Sequence, residues 1–179
     1  VYNGEVFNYI ELRSELQTLG YEFHTKTDTE VVLNAFIQWG TDCFNRFNGM
    51  WGLVIWDAHE RRLVASRDRF GIKPIYYHRV EGGILFASEI KSLLAWPGVE
   101  RRLDPKVLTE VFTFWAPAPG RTPFCGVTAL PPGHWARYDA GGLQVERWHE
   151  PDYEAAPGPG PPAEELAPLL REHLQRSSR

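Results

Sequence analysis

A side-chain amide, a glycine and a carboxylate stand side by side at Asn3-Gly4-Glu5, near the start of the chain. An asparagine amide and a glycine main-chain N–H are both donors, and glycine lets a ligand come close to the backbone, so Asn3 and Gly4 together can face a developing oxyanion. Glu5 adds a carboxylate that can hold a cationic group. The same residues also suit a strand that turns at Asn-Gly and leads into a helix, and the tripeptide alone leaves both readings open. A second carboxylate, Asp28 in Thr27-Asp28-Thr29-Glu30, stands where a helix begins; it can cap that helix, bind a ligand, or do both.

The elements that must position these residues follow from periodicity. Asn8 and Glu11 have capping-box spacing, and Tyr9, Leu12, Leu16 and Leu19 repeat every three or four residues, so a helix is expected up to Gly20. Tyr21 to His24 alternates like a short strand. Val32, Ala35, Phe36 and Trp39 predict a second helix ending at Gly40, and Phe44 and Phe47 a short third turn. The period then changes to two. Met50 to Trp56 with Arg62 to Ser66, and Ile75 to Val80 with Ile84 to Ser88, read as two hairpins. Between them lies the charged loop Arg67-Asp68-Arg69-Phe70-Gly71-Ile72-Lys73-Pro74, whose Arg67 and Asp68 are expected to brace the loop. Helices are predicted over Glu89 to Ala95 and from Asp104-Pro105 to about Phe114. Strands follow at Val127 to Leu130, Trp135 to Tyr138 and Leu143 to Trp148. Two sheets with helices outside them are the layered solution for this order.

Composition narrows the function classes. The 179 residues are 43% hydrophobic and 23% charged, as in a soluble globular chain. A net charge of -4 gives no electrostatic case for nucleic acid or an anionic membrane. Cys43 and Cys125 lie far apart, the six histidines show no ligand spacing, and no apolar run has bilayer length, so the expectation is a cytoplasmic protein without a metal site. Pro151 to Pro162 reads as a stiffened linker, and Leu166, Leu169, Leu170 and Leu174 as one face of a helix with nothing of its own to pack on.

Four segments taken in order carry a family resemblance: Tyr2 to Tyr9 with Glu11-Leu12-Arg13, Thr27 to Glu30, Arg67 to Tyr77, and Phe86 to Leu93. The series closely resembles the glutaminase domain of glutamine-hydrolysing asparagine synthetases, a class II glutamine amidotransferase of the N-terminal-nucleophile hydrolase fold. Gly126 to His134 is similar to that family's closing hairpin. The resemblance implies an α+β fold, a four-layer αββα sandwich, with residues 1–150 forming part of the amidotransferase domain, 151–162 a linker and 163–179 the first helix of a synthetase domain. It implies that the Asn3 side chain and Gly4 N–H form the oxyanion hole and that Glu5 and Asp28 hold the α-ammonium group of glutamine. Glutamine and a C-terminal synthetase domain are the implied partners, with ATP and Mg²⁺ bound in that domain, no cofactor in residues 1–179, and a homodimer left open.

The family nucleophile is an N-terminal cysteine whose own amine is the base. Residue 1 here is Val, and Val1-Tyr2 reads as the end of a strand. The expectation is therefore a chain truncated at both ends, lacking its first strands, the nucleophile and an upstream arginine for the substrate carboxylate, and inactive and poorly soluble alone. Two alternatives stand beside the leading reading: an amidotransferase with another acceptor, and a non-catalytic domain of the kind found in β-lactam synthetase-like proteins.

Overall fold

The structure, a computed structural model, describes residues 1–151, 160 and 162–177. Its layering is decided by the period-two run at Trp51 to Ile55, because neighbouring side chains of a strand point to opposite faces. The strands are β1 (Tyr2–Val6), β2 (Gly49–Asp57), β3 (Arg62–Arg67), β4 (Tyr76–Val80), β5 (Gly83–Ala87), β6 (Val127–Ala129), β7 (His134–Asp139) and β8 (Gly142–Arg147). The helices are α1 (Tyr9–Thr18), α2 (Asp28–Trp39), α3 (Cys43–Arg46), α4 (Ile90–Leu94), α5 (Pro105–Phe114) and α6 (Ala163–Ser177), with a 3-10 turn at Gly40–Asp42.

Trp51, Leu53 and Ile55 of β2 face a core built with Leu12 and Leu16 of α1 and Val31, Val32, Ala35 and Phe36 of α2. Val54 faces the other way, into a second cluster with Ala65, Ile75, Leu130 and Ala136. One antiparallel sheet has the order β1-β2-β3-β7-β8 and the other β5-β4-β6. With α1 and α2 outside the first sheet and α4 packed on β4 and β5 of the second, the layers run helix, sheet, sheet, helix. This is the αββα arrangement expected from the sequence. The sequence does not reveal that β6 and β7, adjacent in the chain, lie in different sheets.

Three local expectations are corrected. Asn8 makes no capping bond to α1. Its amide instead donates to Arg46 O at 2.9 Å and its Oδ1 accepts from Asn48 N at 2.8 Å, tying the start of α1 to the turn before β2. Residues 21–24 form no strand. Arg13 lies over the Phe23 ring at 4.5 Å and donates to Thr25 O and Thr27 O, so that the connection is held by a side chain rather than by a ladder. The linker expected over 151–162 falls mostly outside the described residues. The leucine face of α6 is exposed at Leu166, Leu169, Leu170 and Leu174.

The loop between β3 and β4 is wired from inside. Asp68 is fully buried, at 0% exposure. Its Oδ1 accepts from Phe70 N (3.1 Å) and Ile72 N (3.0 Å), and its Oδ2 from Lys73 N (3.0 Å) and Trp51 N (3.2 Å). Arg67 donates to the carbonyls of Lys73, Leu130 and Gly71. Arg69 donates to those of Asn45 and Phe47 and lies over the Trp148 ring at 5.3 Å. These charged residues therefore do the bracing expected of the loop. Replacing Asp68 by Ala removes the shared acceptor of four N–H groups, one of them buried and three part-buried, and we expect a stability loss of about 3–5 kcal/mol in chemical denaturation. A loss below about 1 kcal/mol, the size of one ordinary hydrogen bond, would contradict this wiring.

Candidate active site

The site is set by which way the main-chain groups of β1 point. Val1 and Val54 exchange both bonds, Val1 N to Val54 O at 2.7 Å and Val54 N to Val1 O at 2.8 Å. At the other end Phe7 N donates to Asn48 O at 2.7 Å. In an antiparallel ladder the donors alternate sides, so Val1, Asn3, Glu5 and Phe7 bond toward β2, whereas the N–H groups of Tyr2, Gly4 and Val6 face the opposite, outer edge. No other strand pairs with β1 there among the described residues.

Asp28 reaches this outer edge from the first turn of α2. Its Oδ2 accepts from Val6 N at 3.1 Å and from the Tyr2 hydroxyl at 2.7 Å. It makes no cap: Thr27 is the N-cap residue, and no side chain caps the helix. The helix N-terminus still favours a carboxylate at this position. Burial, together with the hydrogen bond to Asp28 and its charge, pushes the Tyr2 phenol above the usual tyrosine range, so the hydroxyl remains a donor.

Gly4 N–H faces the same edge two residues before Val6 N–H, a separation of about 7 Å along a strand. The glycine is also required by packing. A Cβ at Gly4 would lie 2.3 Å from Met50 O and 2.7 Å from Trp51 Cα, so the strand could not keep its distance from β2 with any other residue. Asn3 and Glu5 alternate to the other face from Tyr2 and Val6, and both are exposed. Among the described residues neither side chain makes a hydrogen bond. Asn3 stands opposite Gly52, which with Val54, Ile75, Ile84 and Phe86 lines an apolar cleft of about 270 Å³ between the sheets. β1 and the start of α2 thus bring a main-chain donor, a free amide and two carboxylates to one part of the molecule.

The two cysteines are elsewhere. Cys43 is sealed in the helix-side core, and burial pushes its thiol up. Cys125 is partly exposed on the loop before β6, where its N–H donates to Arg102 O. Among the described residues no group of His, Cys, Asp and Glu could hold a metal ion, and no helix is long and apolar enough to cross a membrane.

Two contributors escape a reading of the sequence. Tyr2 looks like part of an apolar strand, and only the fold shows that its hydroxyl meets Asp28. Glu30 looks like a helix-surface residue, yet it accepts from His24 N (2.8 Å), Thr25 N (2.7 Å) and the Thr25 hydroxyl (2.6 Å), fixing the turn that delivers Asp28. A signal was present in the spacing, since a carboxylate at the third residue of a helix can reach back to preceding N–H groups.

Residues 1–149 match the glutamine amidotransferase domain family. Asparagine synthetase [glutamine-hydrolysing] 3 of Bacillus subtilis is 38% identical over 152 residues, covering 83% of this chain and 24% of that protein. Asparagine synthetase [glutamine-hydrolysing] 1 of the same organism is 39% identical over 114 residues, covering 64% of this chain and 18% of that protein. The chain therefore spans a quarter or less of the length of these relatives. Among solved structures, the glutamine phosphoribosylpyrophosphate amidotransferase of B. subtilis superposes with a TM-score of 0.56 at 18% identity, over 83% of this chain and 28% of that one. The shared feature is the fold, an α+β sandwich.

The turn before α2 has a testable electrostatic signature. Main-chain and Thr25 hydrogen bonds pull the Glu30 carboxyl down to about 2 from its usual 4.5. A group depressed on folding stabilises the fold above its unfolded value and loses that contribution as pH falls through the folded one. Glu30→Gln should thus be less stable than the parent at pH 7, and the gap should close between pH 4.5 and about 2. A gap in melting temperature that stays constant across that window would contradict it.

Proposed function

The chain belongs to the glutamine amidotransferase domain family, and we propose that the outer edge of β1 holds glutamine while its side-chain amide is hydrolysed. The observation that supports this most is the outward-facing N–H of Gly4, two strand positions from Asp28 and beside the free amide of Asn3. In this reading the α-ammonium of glutamine sits against Asp28 and Glu5, and its side-chain carbonyl oxygen against Gly4 N–H and the Asn3 amide. A thiolate attacks the amide carbon, and the carbonyl electrons move to the oxygen, where the Asn3 and Gly4 donors stabilise them. As the carbon–oxygen bond re-forms, the carbon–nitrogen bond breaks and the nitrogen leaves as ammonia, taking the proton given up by the thiol. Water then cleaves the thioester to glutamate and restores the thiol.

Neither cysteine of the chain supplies that thiolate. Cys43 is buried and keeps its proton, and Cys125 lies on the loop before β6. We place the nucleophile, and the arginine for the substrate carboxylate, outside these residues, and infer that the 179 residues alone release no ammonia. In the full-length protein the ammonia would be used to amidate aspartate, as the names of the relatives suggest. ATP and Mg²⁺, which such an amidation needs to activate the β-carboxylate, are assigned to a synthetase domain and to none of the residues described above. A reducing cytoplasmic setting suits the two free thiols.

The test is Asn3→Ala in the full-length protein. Because Asn3 is exposed and has no structural bond among the described residues, the melting temperature should stay unchanged. Glutamine-dependent turnover should fall about 100-fold or more, the cost of one oxyanion donor, while turnover driven by added ammonium is retained. An unchanged glutamine-dependent rate would contradict the assignment.

A further inference from the structure

Both bonds that the described residues make to the Asp28 carboxylate end on the same oxygen. Tyr2 Oη donates to Oδ2 at 2.7 Å and Val6 N donates to Oδ2 at 3.1 Å, while Oδ1 accepts from no described residue. An ionised carboxylate has lone pairs on both oxygens, so Oδ1 keeps its whole accepting capacity for something outside the fold. Asp28 and Glu5 also lack a basic partner: the ion pairs among the described residues all lie elsewhere. The nearby Arg13 is committed to the carbonyls of Thr25 and Thr27.

One hydrogen bond from Val6 N would leave the carboxylate free to swivel about its Cβ–Cγ bond. A second, arriving from a different direction, fixes the plane. Tyr2 is suited to give it. Its ring packs against the helix-side core, so the hydroxyl is held in place, and it stands opposite Leu53 in the β1–β2 ladder, two residues from Gly4. The same strand therefore sets both the outward donor of Gly4 and the orientation of Asp28.

We propose that Tyr2 is a positioning and specificity residue, which locks Asp28 through Oδ2 so that Oδ1 is presented to the α-ammonium of an amino-acid substrate. The proposal rests on the glutamine reading above and adds that recognition of the α-amino group depends on a phenol that need not touch the substrate. It predicts an effect confined to ligands that carry the ammonium.

The experiment is steady-state glutamine hydrolysis by the full-length protein and its Tyr2→Phe and Asp28→Asn variants, with inhibition by glutaramate, which is glutamine without its α-amino group. Tyr2→Phe keeps the ring and removes only the hydroxyl. It should raise KM for glutamine about 10-fold, the equivalent of one charge-assisted hydrogen bond, with kcat within about two-fold. Its inhibition constant for glutaramate should match that of the parent. Asp28→Asn should raise KM further and leave glutaramate inhibition equally unaffected. An Asp28→Asn variant with parental KM would overturn the glutamine reading itself. A raised KM in Asp28→Asn with a parental KM in Tyr2→Phe would overturn the role of Tyr2 alone, as would a Tyr2→Phe variant that weakens glutaramate as much as glutamine.

Discussion

A carboxylate buried as completely as that of Asp68 has to be met by donors, because an unpaired charge in a dry interior costs several kcal/mol. The donors it finds are main-chain N–H groups from two parts of the chain, Phe70, Ile72 and Lys73 in its own loop and Trp51 in β2. The loop is thereby bound to the middle of the strand. Asp68 adds a main-chain bond to Trp51 O, and its own carbonyl accepts from Gly133 N, at the turn between β6 and β7 where the chain passes from one sheet to the other. One buried residue, through its side chain and its main chain, thus ties together the loop, β2 and the crossing between the sheets.

Trp51 carries that constraint to the candidate site. It is fully buried, its indole donates to Ser66 Oγ at 3.1 Å, and it stacks on Trp148 at 5.5 Å. It also stands directly across from Gly4. The missing Cβ of Gly4 lets β1 approach Trp51 closely, which secures the register of β1 on β2. Register is what makes the site, because a slip of one residue would turn the Gly4 donor inward and exchange the faces of Tyr2 and Asn3. Glycine is thus demanded at this position by the packing behind it.

Much of this was legible in the sequence, where local periodicity was strong. The runs at Trp51 to Ile55 and at Val32 to Phe36 predict their elements because a half-buried strand or helix imposes its own spacing. Asp104 and Pro105 predict the start of α5, and the Asp104 side chain does accept from Lys106 N and Val107 N. Asn8, by contrast, has capping-box spacing and is used in a tertiary tie to Arg46 and Asn48. Tyr21 to His24 alternates without a neighbouring strand to pair with. The reach of Asp28 to β1, and the part played by Tyr2, depend on contacts 22 and 26 residues apart in the chain, which no local pattern encodes. The family resemblance implied roles for Asn3, Gly4, Glu5 and Asp28; the fold places the first three on β1 and ties Asp28 to that strand through Val6 N and the Tyr2 hydroxyl.

We propose the outer edge of β1, fixed by register, as the binding site for the two ends of glutamine. The most direct measurement is a crystal structure of the full-length protein trapped with a glutamine-derived diazoketone, which forms a stable adduct with an attacking thiolate. The expected structure has the ligand's ketone oxygen within hydrogen-bonding distance of Gly4 N and the Asn3 amide, and the α-ammonium on Asp28 Oδ1. An adduct whose oxygen meets neither donor, or whose ammonium lies away from Asp28, would contradict it.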